Sequence, residues 1–152
     1  MTDHAGTGTP LNVLLVEDSP GDARLTREAF REANASIQLH VGVDGVEAMA
    51  FLNQEKPYGN ATRPDIILLD LNLPKMDGRE VLARVKADPS LKTIPTIILS
   101  TSEAHADILK SYQLQANCYL SKPVQFDAFE KLVISINDLW LTKAKFATPG
   151  GA

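Results

Sequence analysis

Short apolar runs, each followed by polar or turn-forming residues, recur along the chain. The clearest is Ile66–Leu69, where four consecutive apolar residues show neither helical spacing nor polar alternation. Such a run is typical of a strand buried on both faces of a parallel sheet. Comparable runs predict further strands at residues 12–16, 37–43, 94–99 and 117–120.

The segments between these runs carry apolar residues at helical spacing. They predict helices over about residues 20–34, 45–52, 79–87, 108–114 and 126–139. Strands that alternate with helices imply parallel pairing, right-handed crossovers and helices on both faces of the sheet. The pattern therefore predicts an α/β fold with a doubly wound, five-stranded parallel sheet.

Composition fits one domain of this kind. The chain has 152 residues, of which 44% are hydrophobic and 22% charged, which is sufficient for an adequate core. Both ends are poor in large apolar residues, so we expect a flexible leader at residues 1–10 and a flexible tail at residues 147–152. The domain itself is expected to span residues 11–146.

Charge and cysteine content argue against several classes of function. Nineteen acidic and fifteen basic residues give a formal net charge of -4, and no Lys/Arg-rich block indicates a nucleic-acid-binding surface. Cys118 is the only cysteine, so neither an intrachain disulfide nor a thiolate metal cluster is expected. No apolar run approaches the length of a membrane span, and the amino end lacks a signal-peptide pattern. We therefore expect a cytoplasmic protein.

Polar side chains with chemical potential follow four of the predicted strands. Because the carboxyl ends of parallel strands meet at one edge of a sheet, we expect these side chains to share a crevice. They are Glu17 and Asp18 after the first strand, Asp70 after the third, Ser100 and Thr101 after the fourth, and Lys122 after the fifth.

The three carboxylates of this set repel one another unless a cation joins them. Oxygen ligands without His or Cys favour Mg²⁺ over zinc. Lys122 adds a mobile positive charge suited to a carboxylate or phosphoryl oxygen, and a hydroxyl of the fourth strand can donate to another oxygen. The set therefore indicates phosphoryl transfer, whereas Asp70 on its own is equally compatible with simply starting the turn before Pro74.

The motifs resemble those of response-regulator receiver domains in two-component signalling. The resemblance runs from about Leu11 to Leu141 and rests on Val-Glu-Asp at 16–18, Leu-Leu-Asp-Leu-Asn-Leu-Pro at 68–74, Met-Asp-Gly at 76–78 and Lys-Pro at 122–123. It implies a flavodoxin-like strand order of 2-1-3-4-5. It also implies a phosphoacceptor signalling protein rather than an enzyme.

Particular roles follow from the same resemblance. Asp70 would be the phosphoacceptor, Asp18 and Asp70 would bind Mg²⁺, Glu17 would act through water, and Asn72 would offer its backbone carbonyl to the metal. Lys122 would contact the phosphoryl group.

Two switch positions are also implied. Ser100 lies thirty residues after Asp70, which is the family's spacing for the switch hydroxyl. Thr101 then stands where the family usually has Ala or Gly, so a register in which Thr101 is the switch remains open. Tyr119 matches the aromatic switch position.

A narrower resemblance is to stand-alone receivers that pair with bacterial, especially cyanobacterial, phytochrome histidine kinases. It rests on residues 17–26, 57–60 and 117–123. It implies a single-domain regulator that is phosphorylated by such a kinase and then alters its binding to an unknown downstream protein or its dimerisation. The alternative is a phosphorelay intermediate or phosphate sink.

Two other classes share part of the pattern. A haloacid dehalogenase-type phosphatase also places an Asp nucleophile after a strand, but it needs a second acid two residues later, where this chain has Asn72. A flavodoxin-like cofactor binder needs a phosphate-binding loop after the first strand, where Glu17 and Asp18 would repel phosphate.

The carboxyl end carries more apolar residues than the core requires, namely Leu139, Trp140, Leu141 and Phe146. Trp140 could simply cover the core. A contiguous apolar patch more often marks an interface, and a two-fold dimer uses one patch twice. We therefore expect a homodimer through this patch and the face that contains Tyr119.

Overall fold

The computed structural model describes residues 11–32, 37–100 and 118–121, together with the helical residues Gln113 and Lys131. The elements are, in chain order, β1 Leu11–Val16, α1 Pro20–Glu32, β2 Ile37–Gly42, α2 Gly45–Leu52, β3 Ile66–Asp70, α3 Gly78–Ala87, β4 Thr96–Ser100 and β5 Cys118–Ser121. The predicted leader, the tail and most of the last two predicted helices lie outside the described residues.

The strands form one parallel sheet in the order β2-β1-β3-β4-β5, which confirms the predicted fold class and strand order. β1 pairs with β2 from Leu11 opposite Ile37 to Val16 opposite Gly42. β3 lies on the other side of β1, with Val16 opposite Leu69. This register brings the carboxyl ends of β1 and β3 next to each other.

Alternate residues of the strands pack into two apolar layers, one on each face of the sheet. On one face, Phe30 of α1 packs with Val13, Leu15 and Leu68. On the other, α2 and α3 cover Leu14 and Leu69 and their neighbours. Every residue of β3 is buried, as expected for a central strand of a parallel sheet.

Side-chain caps fix the starts of the helices. The N–H of Asp22 donates to Ser19 Oγ at 3.2 Å at the start of α1. Asp44 and Asp77 accept from the N–H groups of Glu47 and Arg79 at the starts of α2 and α3. These bonds satisfy donors that the first helical turn leaves without a partner.

All five predicted strands differ from the observed ones by one or two residues at an end, and two of these differences have a clear local cause. β2 ends at Gly42 rather than at residue 43, because the N–H of Val43 donates to Glu47 Oε1 at 2.8 Å and the chain turns away from the sheet. β4 begins at Thr96 rather than at residue 94, because the N–H of Ile94 closes a turn onto the carbonyl of Leu91 at 2.9 Å.

An aromatic stack links β2, α2 and the loop that follows α2. The rings of His40 and Phe51 are stacked, with centroids 4.0 Å apart and an interplanar angle of 12°. Tyr58 presents its edge to both rings, at 5.6 Å from His40 and 5.5 Å from Phe51. The three residues are called the aromatic stack below.

Within the described segments, no helix is both long enough and apolar enough to cross a membrane.

Candidate functional site

Glu17, Asp18 and Asp70 meet at the carboxyl edge of the sheet and are called the acidic cluster below. Each contributes a carboxylate oxygen, and these oxygens all lie within 4.8 Å of one another. Glu17 and Asp70 are buried, at 2% and 6% exposure, whereas Asp18 is exposed. Strand pairing brings the acids together, because Val16 of β1 lies opposite Leu69 of β3 and an acid directly follows each of these residues.

Backbone hydrogen bonds orient Glu17. Its own N–H continues the β1–β2 ladder by donating to the carbonyl of Gly42 at 2.9 Å. Its carboxylate accepts from the N–H of Ser19 at 3.2 Å. Since Ser19 also caps α1, the turn that begins the helix fixes the position of the buried acid as well.

Asp70 is held by the loop that follows β3. Its Oδ1 accepts from the N–H of Asn72 at 3.0 Å. The N–H of Gly78 donates to the carbonyl of Leu71 at 2.9 Å, which brings the start of α3 back to the end of β3. A Cβ at Gly78 would meet the carbonyl oxygen of Asp70, so only glycine permits this close approach.

The same loop contacts the start of α2. Lys75 has a positive φ of 67°, and its Nζ lies 3.5 Å from Asp44 Oδ2. Gly45 lies directly against Met76, whose carbonyl oxygen a Cβ at Gly45 would meet. The loop is therefore enclosed between β3 and α2.

A groove of about 320 Å³ adjoins the acidic cluster between α1 and the end of β2. Its lining includes Glu17 and Asp18 of the cluster and Arg24 and Arg27 of α1. Two cationic side chains therefore share the lining of the groove with two of the acids. Anionic groups that enter this groove meet less repulsion than the acids alone would impose.

The geometry fits one divalent cation. Two oxygens bound to the same ion can be separated by at most about twice the metal–oxygen distance, which is roughly 4.2 Å for Mg²⁺ and about 5 Å for Ca²⁺. Separations of up to 4.8 Å therefore require only small side-chain rotations or one bridging water. The chemistry of the ligands, three carboxylates, suits a hard cation.

The other predicted site residues are placed in part. Asn72 is exposed in the loop directly after Asp70. Ser100 ends β4 opposite Ser121, and Tyr119 lies in β5 opposite Ile98, so both backbones reach the correct part of the sheet. Lys122 and Thr101 lie outside the described residues. The functional roles of all these residues stay predictions.

The predicted interface residues Leu139, Trp140, Leu141 and Phe146 also lie outside the described residues. Sequence reasoning had not identified Asp44 or Lys75 as neighbours of the site. The Asp44-x-x-Glu47 pattern is a recognisable helix start and could have located Asp44. Nothing in the sequence near Lys75 indicates its contact with Asp44, which lies far earlier in the chain.

The parallel sheet and the acids at the ends of β1 and β3 are features by which this chain can be compared with known proteins. Residues 13–134 match the response regulator receiver domain family. The chain belongs to this family, and it is a two-component signalling protein. The phosphatase and flavin-binding alternatives are thereby disfavoured.

Individual relatives narrow the comparison. Response regulator Rcp1 of Synechocystis sp. is 48% identical over 132 residues, which cover 87% of this chain and 90% of Rcp1. The crystal structure of its Mn²⁺-bound form superposes with a TM-score of 0.76 over 87% of this chain and 95% of that one. The phosphorylated cyanobacterial phytochrome response regulator RcpA superposes with a TM-score of 0.78 at 48% identity, over 90% of this chain and 97% of that one.

Proposed function

We propose that Asp70 accepts a phosphoryl group from a histidine kinase, of the phytochrome type, with Mg²⁺ bound at the acidic cluster. The observation that carries the proposal is the meeting of three carboxylate oxygens within 4.8 Å in a chain of the receiver family. The Mn²⁺-bound form of Rcp1 and the phosphorylated form of RcpA support the two chemical parts of the proposal.

The chain's own residues have distinct roles in this scheme. The carboxylate of Asp70 attacks phosphorus, an acyl phosphate forms, and the bond to the donor imidazole breaks. The hydrogen bond from Asn72 keeps the carboxylate oriented at the mouth of the crevice. Asp18 and Asp70 would hold the metal directly and Glu17 through water, with the carbonyl of Asn72 as a further ligand. When bound, Mg²⁺ neutralises charge that develops on the phosphoryl oxygens.

The remaining roles complete the proposed switch. Lys122 contacts the phosphoryl group, the hydroxyl of Ser100, or of Thr101 in the shifted register, moves toward it, and Tyr119 follows. These movements alter binding of a downstream protein or formation of a homodimer through the face of Tyr119 and the apolar residues 139–146. The structural relation to bacteriophytochrome response regulator AtBRR, at 39% identity and a TM-score of 0.75 over 85% of this chain and 93% of that one, supports the choice of kinase.

Phosphorylation with acetyl phosphate and Mg²⁺, followed by intact-mass measurement, tests the proposal. Wild type should gain one phosphoryl group and Asp70→Asn none. Asp77→Asn is the matched control, since Asn retains the helix cap at an exposed acid of the neighbouring loop. Full modification of Asp70→Asn would refute the assignment. Phosphotransfer from a purified phytochrome histidine kinase, compared with kinases of other sensor types, tests the partner.

A further inference from the structure

Residues 71–77 connect the phosphoacceptor strand to α3 and carry Asn72. At the strand end, the loop is fixed by the bond from Asn72 to Asp70 Oδ1 and by the bond from Gly78 to Leu71. Both bonds lie within the loop or at its junctions. The position of residues 75 and 76, between these two fixed ends, therefore depends on the contacts that they make with another element.

The start of α2 makes that contact. Asp44 divides its carboxylate between two tasks, since Oδ1 accepts from the N–H of Glu47 at 2.7 Å and Oδ2 lies 3.5 Å from Lys75 Nζ. The capping bond and the burial of Asp44, which is 7% exposed, together restrict the position of this carboxylate. Gly45 then lies against the backbone of Met76, and a Cβ there would also come within 2.7 Å of Met76 Cβ.

We propose that Asp44 and Gly45 are positioning residues for the phosphoacceptor site, because they set the position of the loop that carries Asn72. This inference rests on the proposed function. The contact involves the carbonyl oxygen of Met76, which rotation of a side chain cannot move. A group added at Gly45 must therefore displace the loop itself, and with it Asn72 and the bond to Asp70.

Gly45→Ala separates this role from helix stability. Gly45 is the first residue of α2, where alanine suits a helix better than glycine does. Gly21→Ala is the matched control, because Gly21 lies in the first turn of α1 and its Cβ would meet only Ser19 Oγ at 3.9 Å. The two variants make the same chemical change, but only one of them affects the loop.

Two measurements on the full chain test the proposal, namely Mg²⁺ titration by calorimetry and amide hydrogen exchange without metal. In Gly45→Ala we expect Mg²⁺ affinity to fall roughly tenfold or more, as for other residues that orient metal ligands. We also expect faster exchange at the amides of Asn72 and Gly78. Gly21→Ala should match wild type in both. If either affinity or exchange in Gly45→Ala is unchanged, the proposal is wrong.

A second set of variants decides the matter if Gly45→Ala does not fold. Asp44→Ser retains a capping side chain and removes the charge near Lys75, whereas Lys75→Asn removes the other charge and tolerates the positive φ. Each should weaken Mg²⁺ binding at low salt by roughly twofold to fivefold, and the double variant by no more than either single one. Additive losses, or no loss, would overturn the proposal.

Failure of the proposed function would look different. A wild type that binds no Mg²⁺ and accepts no phosphoryl group would contradict the function itself. Amide exchange in the metal-free variants would still show whether Gly45 positions the loop.

Discussion

The acidic cluster and the aromatic stack both contain ionisable groups that are at least partly buried, on two different parts of the sheet. In the cluster, buried Glu17 and Asp70 accept hydrogen bonds from nearby backbone N–H groups. In the stack, His40 Nε2 is buried and has no hydrogen-bond partner within the described part of the chain. Burial lowers the pKa of His40, and the negative charge of Glu47 opposes this by a smaller amount.

The two regions differ in whether nearby hydrogen-bond donors satisfy their buried polar atoms. In the cluster, backbone N–H groups satisfy the buried carboxylate oxygens of Glu17 and Asp70, so polar groups are retained at this edge of the sheet. The stack disfavours charge and uses the neutral imidazole as a flat apolar surface against Phe51. Chemistry at one site and packing at the other should therefore be separable by substitution.

Removing the centre of the stack should have the largest effect on stability. Phe51→Ala deletes a buried ring at 8% exposure, and such deletions cost about 3–5 kcal/mol of unfolding free energy. Urea denaturation would measure the loss. Calorimetry below the transition should give an unchanged Mg²⁺ affinity, because Phe51 does not belong to the acidic cluster. If Phe51→Ala changed Mg²⁺ affinity as much as a cluster variant does, packing at the stack and metal binding at the cluster would not be independent.

Removing one acid from the cluster should lower Mg²⁺ affinity and leave the stability of the metal-free protein intact. Asp18→Asn deletes one of the charges that we propose hold the cation, so we expect Mg²⁺ affinity to fall by roughly tenfold, about 1.4 kcal/mol. Without metal the variant should be as stable as wild type or slightly more so, because repulsion within the cluster decreases. Glu28→Gln in α1 is the control, since Glu28 pairs with Arg31 at the surface. Equal Mg²⁺ titrations for Asp18→Asn and wild type would count against the metal site.

The smallest expected effect is a dependence of stability on pH through the stack. The folded pKa of His40 lies below its ordinary value of 6.5, so the unfolded chain binds a proton first as the pH falls. The stabilisation is complete above about pH 6.5 and decreases as pH falls through that value toward the folded pKa.

His40→Leu isolates this contribution. Thermal unfolding of the variant should depend less on pH between neutral and mildly acidic conditions than unfolding of the wild type. The charges that face His40 come from α2 and the following loop, where Glu47 lies close and Tyr58 carries a hydroxyl whose pKa is raised by burial and by its bond to Glu47. Parallel curves for the two proteins would show that His40 does not titrate differently in the folded state.

Much of the fold followed from short-range pattern. Buried runs such as Ile66–Leu69 marked the strands, and the acids at their ends indicated the cluster, because parallel pairing alone brings those ends together. Periodicity was less informative at the surface. Leu25 of α1 and Val46 of α2 are large apolar residues within predicted helices, yet they are 63% and 50% exposed.

Contacts between distant segments could not be predicted in this way. The pair of Asp44 and Lys75 and the close approach of Gly45 to Met76 depend on how α2 docks beside the β3–α3 loop. The aromatic stack likewise joins a strand, a helix and a loop. No local preference encodes such meetings, because they arise only after the layers have packed.

The strand order also determines when the acids first meet during synthesis on the ribosome. β2 follows β1 closely along the chain, but β3 emerges later and then inserts beside β1 as the second neighbour. Glu17 and Asp18 therefore cannot meet Asp70 before β3 has been synthesised. The crowding of negative charge therefore arises in the same step that buries Ile66–Leu69, so apolar burial offsets the repulsion as soon as it appears.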